Sequence, residues 1–312
     1  RAVPGGRAHA GSLTPAGGVT CWGYDCSGQL GNGTPGNSRV PVAVVGLSSG
    51  VRAVSAGPFG SCAVTTGGAV KCWGFNNQGQ LGNGNTAQST VPVDFIGLGS
   101  GVAAVALGGF HACVLTSGGA VRCWGTNWVG ELGDGTTTDS RVPVDVVGLG
   151  SGVSALALGG NHSCALTAGG AVKCWGGDVW SGQLGDGSTT SSSVPVDVIG
   201  LGSGVISLSA GRGYTCAVTS AGAVKCWGAN DYGQLGNGFA TLSGVGVGVP
   251  VDVVGLGSGV ISVAGGGRHT CAVTTAGAVT CWGGNAYGEL GIGPTAALSL
   301  VPVDVVFFER TR

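Results

Sequence analysis

Short apolar segments recur along the whole chain. They are 4–7 residues long, rich in β-branched residues, and bounded by Gly, Ser or Asn, as in Val102-Ala-Ala-Val-Ala-Leu. No segment keeps a helical period of apolar positions. The pattern therefore predicts short strands joined by turns.

The tripeptide Cys-Trp-Gly sets the period of this pattern. Its six copies begin at Cys21, Cys72, Cys123, Cys174, Cys226 and Cys281, with spacings of 51, 51, 51, 52 and 55 residues. One full unit, from Pro92 to Gly135, contains four strand-like segments. Four-stranded units repeated about an axis form a β-propeller.

The two ends of the chain predict how the propeller closes. Residues 1–14 align with residues 52–65 at the same offset of 51, and the chain ends in mid-unit at residues 301–306. We therefore expect an all-β single domain over residues 1–312, a six-bladed β-propeller of four-stranded antiparallel blades. In it the N-terminal strands complete the last blade. An open solenoid is the alternative, and it would leave both half-units unpaired.

Composition excludes several functions. The formal net charge is -1 and only 9% of the residues are charged, so the chain has no basic patch for nucleic acid. No apolar run reaches the roughly 18 residues that a transmembrane helix needs. The chain begins at Arg1 and contains no Met, which we interpret as a mature or trimmed chain without its signal peptide.

The repeat resembles a known family. The pattern His-x-Cys-Ala-Val-Thr, followed by Gly-x-Val-x-Cys-Trp-Gly-x-Asn-x-x-Gly-Gln-Leu-Gly, is similar to the regulator of chromosome condensation repeat over essentially the whole chain. The resemblance implies a β-propeller, usually with seven blades, so six would be a departure. Family members include an exchange factor, ubiquitin-ligase modules, photoreceptors and bacterial inhibitors of β-lactamase, so the fold does not decide the function. The Cys-rich version is most similar to repeats of secreted or surface proteins of bacteria.

The 12 cysteines predict disulfides. Five pairs share one spacing across a turn: Cys62–Cys72, Cys113–Cys123, Cys164–Cys174, Cys216–Cys226 and Cys271–Cys281. A hairpin places the members of each pair opposite one another, at a separation that suits a disulfide. The first unit has Gly11 at the first position and an extra Cys26, which predicts a Cys21–Cys26 bridge. Free buried cysteines are the alternative; bridges would indicate an oxidising compartment.

Two recurring sets of polar residues have structural interpretations. His9, His111, His162 and His269 occupy one slot of the unit, so we expect a hydrogen bond to a neighbouring turn rather than catalysis. The Asp of Pro-Val-Asp and the basic residue before the second Cys recur as well. They are predicted to form solvated faces, or charges that meet a neighbouring molecule. The acidic set is Asp94, Asp145, Asp197, Asp252 and Asp304, and the basic set is Lys71, Arg122, Lys173 and Lys225.

The loops after Cys-Trp-Gly vary most and carry the candidate contacts. Aromatic residues mixed with Asn and Asp suit protein or glycan recognition; the alternative for Trp180, Tyr232 and Tyr287 is packing between blades. An apolar insertion, residues 239–249, is a second candidate. The candidate contacts are Tyr24, Phe75, Trp128, Trp180, Tyr232, Tyr287, Phe239, Leu242 and Val245. Asn32 and Asn161 begin glycosylation sequons, a weak signal.

These observations favour a non-enzymatic binding or structural protein, secreted or on the cell surface. One form is a self-assembling or adhesive component, with copies of itself, another protein or a glycan as partner. The alternative is a soluble inhibitor or regulator of one partner protein, and a guanine-nucleotide exchange factor is a remote alternative. The chain has no recognisable nucleophile, paired carboxylate, metal or phosphate motif, so we predict no catalytic residue and no cofactor.

Overall fold

The computed structural model describes residues 9–178, 181–242, 244–293 and 296–306. All regular secondary structure in these ranges is β-strand, in six sheets of consecutive antiparallel strands. The fold class predicted from the repeat, a six-bladed β-propeller, is therefore confirmed. Trp180 lies outside the described residues.

The first three sheets cover residues 9–145. The first contains β1 (His9–Leu13), β2 (Val19–Gly23) and β3 (Ser38–Ala43). The second contains β4 (Val51–Ala56), β5 (Gly60–Thr65), β6 (Val70–Gly74) and β7 (Ser89–Asp94). The third contains β8 (Val102–Leu107), β9 (His111–Thr116), β10 (Val121–Gly125) and β11 (Ser140–Asp145).

The last three sheets repeat this plan. The fourth contains β12 (Val153–Leu158), β13 (His162–Thr167), β14 (Val172–Gly176) and β15 (Ser192–Asp197). The fifth contains β16 (Val205–Ala210), β17 (Tyr214–Thr219), β18 (Val224–Ala229) and β19 (Gly246–Asp252). The sixth contains β20 (Val260–Gly265), β21 (His269–Thr274), β22 (Val279–Gly284) and β23 (Leu298–Asp304).

The chain divides into two compact units, residues 1–163 with 192–195 and residues 164–191 with 196–312. The single domain over residues 1–312 stays a prediction. Among the described residues, no helix is long and apolar enough to cross a membrane.

The predicted sharing of the last blade by N-terminal strands is wrong for residues 9–14. β1 pairs with β2 in the first sheet, and the sixth sheet has four strands of its own, β20–β23. Residues 1–8, the rest of the predicted shared segment, lie outside the described residues. A periodic sequence fixes the length of the unit but not the strand at which each sheet begins. Here the Pro-Val-Asp strand ends its own sheet: Asp94 of β7 pairs with Lys71 of β6.

The Trp of Cys-Trp-Gly joins successive sheets. Trp73 of β6 is fully buried and packs with Leu30 and Val44, which follow strands of the first sheet. Its indole Nε1 donates a hydrogen bond to the carbonyl oxygen of Gln29 at 2.9 Å. Trp124, Trp227 and Trp282 make the same bond to the preceding loop, with Gln80, Gln183 and Gln234 as acceptors. Each indole thus buries a large apolar surface and satisfies its one polar group.

The five regularly spaced cysteine pairs form disulfides, as predicted. Cys62 and Cys72 lie directly opposite in the β5–β6 hairpin, with Cα atoms 4.1 Å apart. The other four pairs are Cys113–Cys123, Cys164–Cys174, Cys216–Cys226 and Cys271–Cys281. In every pair the Cα atoms are 4.1 Å apart, just below the usual range of about 4.4–6.8 Å for disulfides.

The predicted Cys21–Cys26 bridge is wrong. Cys21 is buried opposite Gly11, whereas Cys26 is exposed on the loop beyond Gly23, and both are free thiols. Burial, aided by the charge of Asp25, raises the pKa of Cys21 to about 12. Hydrogen bonding by Tyr24 and Ser27 lowers the pKa of Cys26. The Cys21 side chain lies in the core and the Cys26 side chain lies in solvent, so the two thiols do not meet although the residues are close in sequence.

Candidate functional site

The loops that follow Cys-Trp-Gly are the most varied surface of the repeat. We call them the variable loops; they are residues 24–37, 75–88, 126–139, 177–191, 230–245 and 285–297. Each loop connects the last two strands of its sheet, so the two strands fix both of its ends. Loops on rigid scaffolds commonly carry binding residues.

A buried amide organises most variable loops from within. The Oδ1 atom of Asn76 accepts a hydrogen bond from the Leu81 N–H at 2.8 Å, and its Nδ2 donates to the Ala87 carbonyl at 2.9 Å. Asn127, Asn230 and Asn285 are buried in the same way. These residues shape the loops from inside and do not face a partner. The sequence analysis, which assigned the Asn residues of these loops to recognition, missed this structural role.

A second side chain fixes the tip of most variable loops, whereas in the fourth loop the equivalent Oε1 atom of Gln183 has no hydrogen-bond partner among the described residues. The residue before the recurring Leu accepts a hydrogen bond from a backbone N–H two residues earlier: Gln80 from Gln78 at 2.9 Å, and Glu131 from Val129 at 2.9 Å. Burial raises the pKa of Glu131. The variable loops are thus preorganised by internal hydrogen bonds, which lowers the entropic cost of binding through them.

Three predicted contact residues lie on the variable loops of the first compact unit. Trp128 is 65% exposed and Tyr24 is 45% exposed, whereas Phe75 is half-buried. Phe75 belongs to an aromatic cluster that sequence analysis missed, since Phe59 and Phe110 stack at 5.0 Å and Phe75 lies 5.9 Å from Phe59. Both missed residues directly precede the His slot, where the repeat elsewhere places Ala, Asn, Gly or Arg.

The apolar insertion, residues 239–249, lies in the second compact unit. Phe239, Leu242 and Val245 are 71%, 82% and 56% exposed. The base of the insertion is fixed, because Asn230 donates to the Phe239 carbonyl at 2.9 Å and accepts from the Thr241 N–H at 3.0 Å through its own carbonyl. Residues 246–249 belong to β19, so only residues 239–245 lie outside the repeating strands.

The two remaining aromatic candidates of the second unit differ from each other. Tyr287 is 94% exposed. Tyr232 is half-buried, and the guanidinium of Arg268 lies 4.2 Å from its ring centroid in a cation–π contact. Tyr232 is therefore partly engaged within the molecule, whereas Tyr287 is available to a partner.

Three of the recurring histidines, His9, His111 and His162, are buried, and His269 is half-buried. His9 Nε2 lies 2.8 Å from Ser61 Oγ, and His111 Nε2 lies 2.9 Å from Ser163 Oγ. Their partners are hydroxyls on the following sheet rather than the predicted turns. Burial lowers the pKa of His9 to about 4 and that of His111 to about 3.

Four of the five acidic residues pair with the four basic residues, each pair across the last two strands of its own sheet, whereas Asp304 lies opposite Thr280. Lys71 Nζ lies 2.5 Å from Asp94 Oδ1, and Arg122 Nε lies 2.6 Å from Asp145 Oδ1. Lys173–Asp197 and Lys225–Asp252 repeat the pair at 2.6 Å. The charges are exposed to solvent, as one of the expected alternatives has it, and each of these basic residues faces an acidic residue of its own sheet.

No group of three or more His, Cys, Asp or Glu side chains suited to a metal ion occurs in the part of the chain that the structure describes. Asn161 is exposed and Asn32 is half-buried; their glycosylation stays a prediction. The geometry thus defines β-sheets whose loops are held by internal hydrogen bonds and expose aromatic and aliphatic side chains.

Comparison with known proteins identifies the family. Five segments match the regulator of chromosome condensation (RCC1) repeat, at residues 16–64, 68–115, 118–166, 170–218 and 221–273. The chain belongs to this repeat family, as the sequence pattern predicted.

Its relatives differ in length and role. The chain is 35% identical to the ultraviolet-B receptor UVR8 of Arabidopsis thaliana, over 88% of this chain but only 62% of the receptor. It is 32% identical to the mitochondrial RCC1 domain-containing protein RUG3 of the same plant, covering 92% of this chain and 72% of RUG3. The structure of yeast RCC1 (Prp20) bound to Kap60 superposes with a TM-score of 0.84 at 22% identity, covering 98% of this chain and 74% of that chain, which shows the shared fold.

Proposed function

We propose that this chain is a non-enzymatic, extracellular binding protein that acts through its variable loops. The observation that carries the proposal is the exposure of large apolar side chains, Trp128, Tyr287 and Leu242 among them, on loops held by internal hydrogen bonds. Exposed aromatic residues on a preorganised surface are the usual anchors of protein interfaces.

Two features of related proteins support a binding role. One relative is a receptor by name, and yeast RCC1 has been crystallised bound to another protein.

The ion pairs on the strands neutralise one another, which disfavours an electrostatic partner such as nucleic acid.

The extracellular part of the proposal rests on the five disulfides, since such bridges persist in oxidising compartments. Thiol titration of protein isolated from its native source, unfolded without reductant, tests it. We expect two thiols per chain, Cys21 and Cys26. Twelve thiols would contradict the extracellular assignment.

We further propose that the chain self-associates through the insertion, because residues 239–245 place three exposed apolar side chains on one short segment. Apolar surface of this kind is removed from water in contact with a second apolar surface. Sedimentation velocity over a range of concentrations tests this. The wild-type chain should form oligomers, and the combined variant Phe239→Ser, Leu242→Ser and Val245→Ser should stay monomeric.

Ile206→Ser is the matched control, because Ile206 is also an exposed aliphatic residue but lies on strand β16. It should associate like the wild type. If the wild-type chain is monomeric throughout, self-association is wrong and the second candidate, a binder of one partner protein, is favoured by exposed Trp128. A photo-crosslinker at position 128, but not at 206, should then capture a discrete adduct. Equal adducts from both positions would contradict loop-mediated binding.

A further inference from the structure

The variable loop of the third sheet gathers oxygen atoms around one amide. Asn127 Nδ2 faces four oxygens, Asp134 Oδ1 at 3.2 Å, the Thr136 carbonyl at 3.1 Å, Thr136 Oγ1 at 3.2 Å and the Thr138 carbonyl at 3.1 Å. The amide has only two hydrogens to offer these acceptors. The loop is therefore a cage of oxygen atoms closed by a single donor.

The fourth variable loop keeps this frame but replaces the donor. Asp178 stands where Asn127 stands, and Asp186, Ser188 and Thr190 take the places of the three cage residues. The supporting bonds are the same, since Ser188 N donates to Asp186 Oδ1 at 2.9 Å and Thr190 N donates to Ser188 Oγ at 3.2 Å. Their third-loop counterparts are Thr136 N to Asp134 Oδ1 at 2.9 Å and Thr138 N to Thr136 Oγ1 at 3.3 Å.

Asp178 is fully buried, and neither carboxylate oxygen has a hydrogen-bond partner. Burial, opposed in part by nearby backbone N–H groups and increased by the charge of Asp186, raises the pKa of Asp178 to about 7. An unpaired buried carboxylate is unfavourable, so this position calls for either a proton or a cation.

We propose that the fourth variable loop binds a divalent cation of the Ca²⁺ type between Asp178 and Asp186, with the Ser188 and Thr190 carbonyls completing the oxygen shell. Ca²⁺ takes carboxylate and backbone carbonyl oxygens at about 2.3–2.6 Å in adaptable geometry, whereas Mg²⁺ demands a smaller, regular octahedron. Adjacent oxygens around Ca²⁺ are therefore roughly 3.4 Å apart. In the third loop the Nδ2 atom of Asn127 lies 3.1–3.2 Å from each of the four oxygens, so a carboxylate oxygen in its place would have a similar separation from them.

The first variable loop provides an internal contrast. Asp25 also replaces the amide and has one buried oxygen without a partner, but Asn32 stands at the position of Asp186. One carboxylate attracts a divalent cation less strongly than two. The proposal therefore concerns the fourth loop alone, and it does not depend on the proposed binding function.

Thermal unfolding and isothermal titration calorimetry test the site. In CaCl2 at about 100 times the Kd, the melting temperature of the wild type should rise by about 3–5 °C relative to excess EGTA. MgCl2 should have a smaller effect. Calorimetry should show one Ca²⁺ bound to the fourth loop per chain.

Three variants test the residues. Asp178→Asn should fold, because four other loops carry Asn at this position, and it should lose the Ca²⁺ response. Asp186→Asn should weaken binding at least tenfold. Asn127→Asp should add a second Ca²⁺ equivalent, because Asp134 already occupies the place of Asp186. Asp25→Asn is the control and should keep the wild-type shift.

Two results would overturn the proposal. One is a wild-type chain without heat or melting shift in millimolar CaCl2 at neutral pH. The other is an Asp178→Asn variant that keeps the full response. The buried carboxyl would then hold a proton instead, and the wild-type chain in EGTA would gain stability below pH 7 relative to Asp178→Asn.

Discussion

The first and second sheets share one strand frame but are stabilised differently. In the β5–β6 hairpin Cys62 is bonded to Cys72, whereas in the β1–β2 hairpin Gly11 faces the free thiol of Cys21. The register is nonetheless the same, because Gly11 opposes Cys21 as Cys62 opposes Cys72. The turn and the apolar pattern therefore set the register, and the disulfide adds stability to a hairpin that is already specified.

The packing of the two sheets on each other should matter more to stability than the disulfide of the β5–β6 hairpin. Trp73 of the second sheet is buried in the cluster that contains Val19, Cys21 and Leu30. Trp73→Ala removes the indole and its bond to Gln29, so we expect a loss of about 3–5 kcal/mol in the free energy of unfolding. Denaturant unfolding measures this loss.

Trp22→Ala is the matched control for Trp73→Ala. Trp22 occupies the same position in the first sheet but is only half-buried, so its loss should be clearly smaller. Equal losses would show that burial of the indole between the two sheets is not what stabilises the first one.

The missing bridge of the first sheet can be restored. A Cβ atom at Gly11 would lie 3.4 Å from Cys21 Sγ. Gly11→Cys should therefore form a sixth disulfide and raise the free energy of unfolding by about 2–3 kcal/mol, the entropic effect of closing a loop of about ten residues. Peptide mapping without reductant should find the new bridge, and unfolding in denaturant should measure the gain.

Gly11→Cys combined with Cys21→Ala is the control, because it adds the side chain without allowing the bridge. It should lack the gain in stability. If the single variant keeps three free thiols, the two hairpins are not equivalent in the way that their register indicates.

The repeat and the hairpin bridges could be predicted from the sequence because both depend on local pattern. Strand alternation and a short turn place Cys62 opposite Cys72 within 11 residues. The strand at which each sheet begins could not be predicted in this way. It depends on the pairing of Lys71 with Asp94 across a long variable loop, which no periodicity encodes.

The candidate site was predicted only in part. Exposed Trp128 and Leu242 follow from their departure from the repeat. Asn76 and Asn127 were misinterpreted, because an Asn in a polar loop looks the same in sequence whether it faces solvent or bonds inward. The aromatic cluster of Phe59 and Phe110 was missed because these residues lie 51 positions apart and meet only when sheets stack.

The smallest expected difference between the two sheets concerns pH. The first sheet has His9 in the slot that Gly60 fills in the second, and burial lowers the pKa of His9 to about 4. In the unfolded chain the His9 imidazole takes up a proton at about pH 6.5, whereas in the folded chain it does so only at about pH 4. The free energy of unfolding therefore falls as the pH drops from 6.5 towards 4. Between pH 7 and pH 5 the loss should be about 2 kcal/mol. His9→Gln, which keeps a hydrogen-bonding group beside Ser61 but cannot titrate, should remove that share of the slope, whereas His111 and His162 continue to supply theirs. Unfolding of both proteins at pH 7 and pH 5 measures it. If the wild type and His9→Gln differ by the same free energy of unfolding at both pH values, the proton on His9 does not distinguish the first sheet from the second.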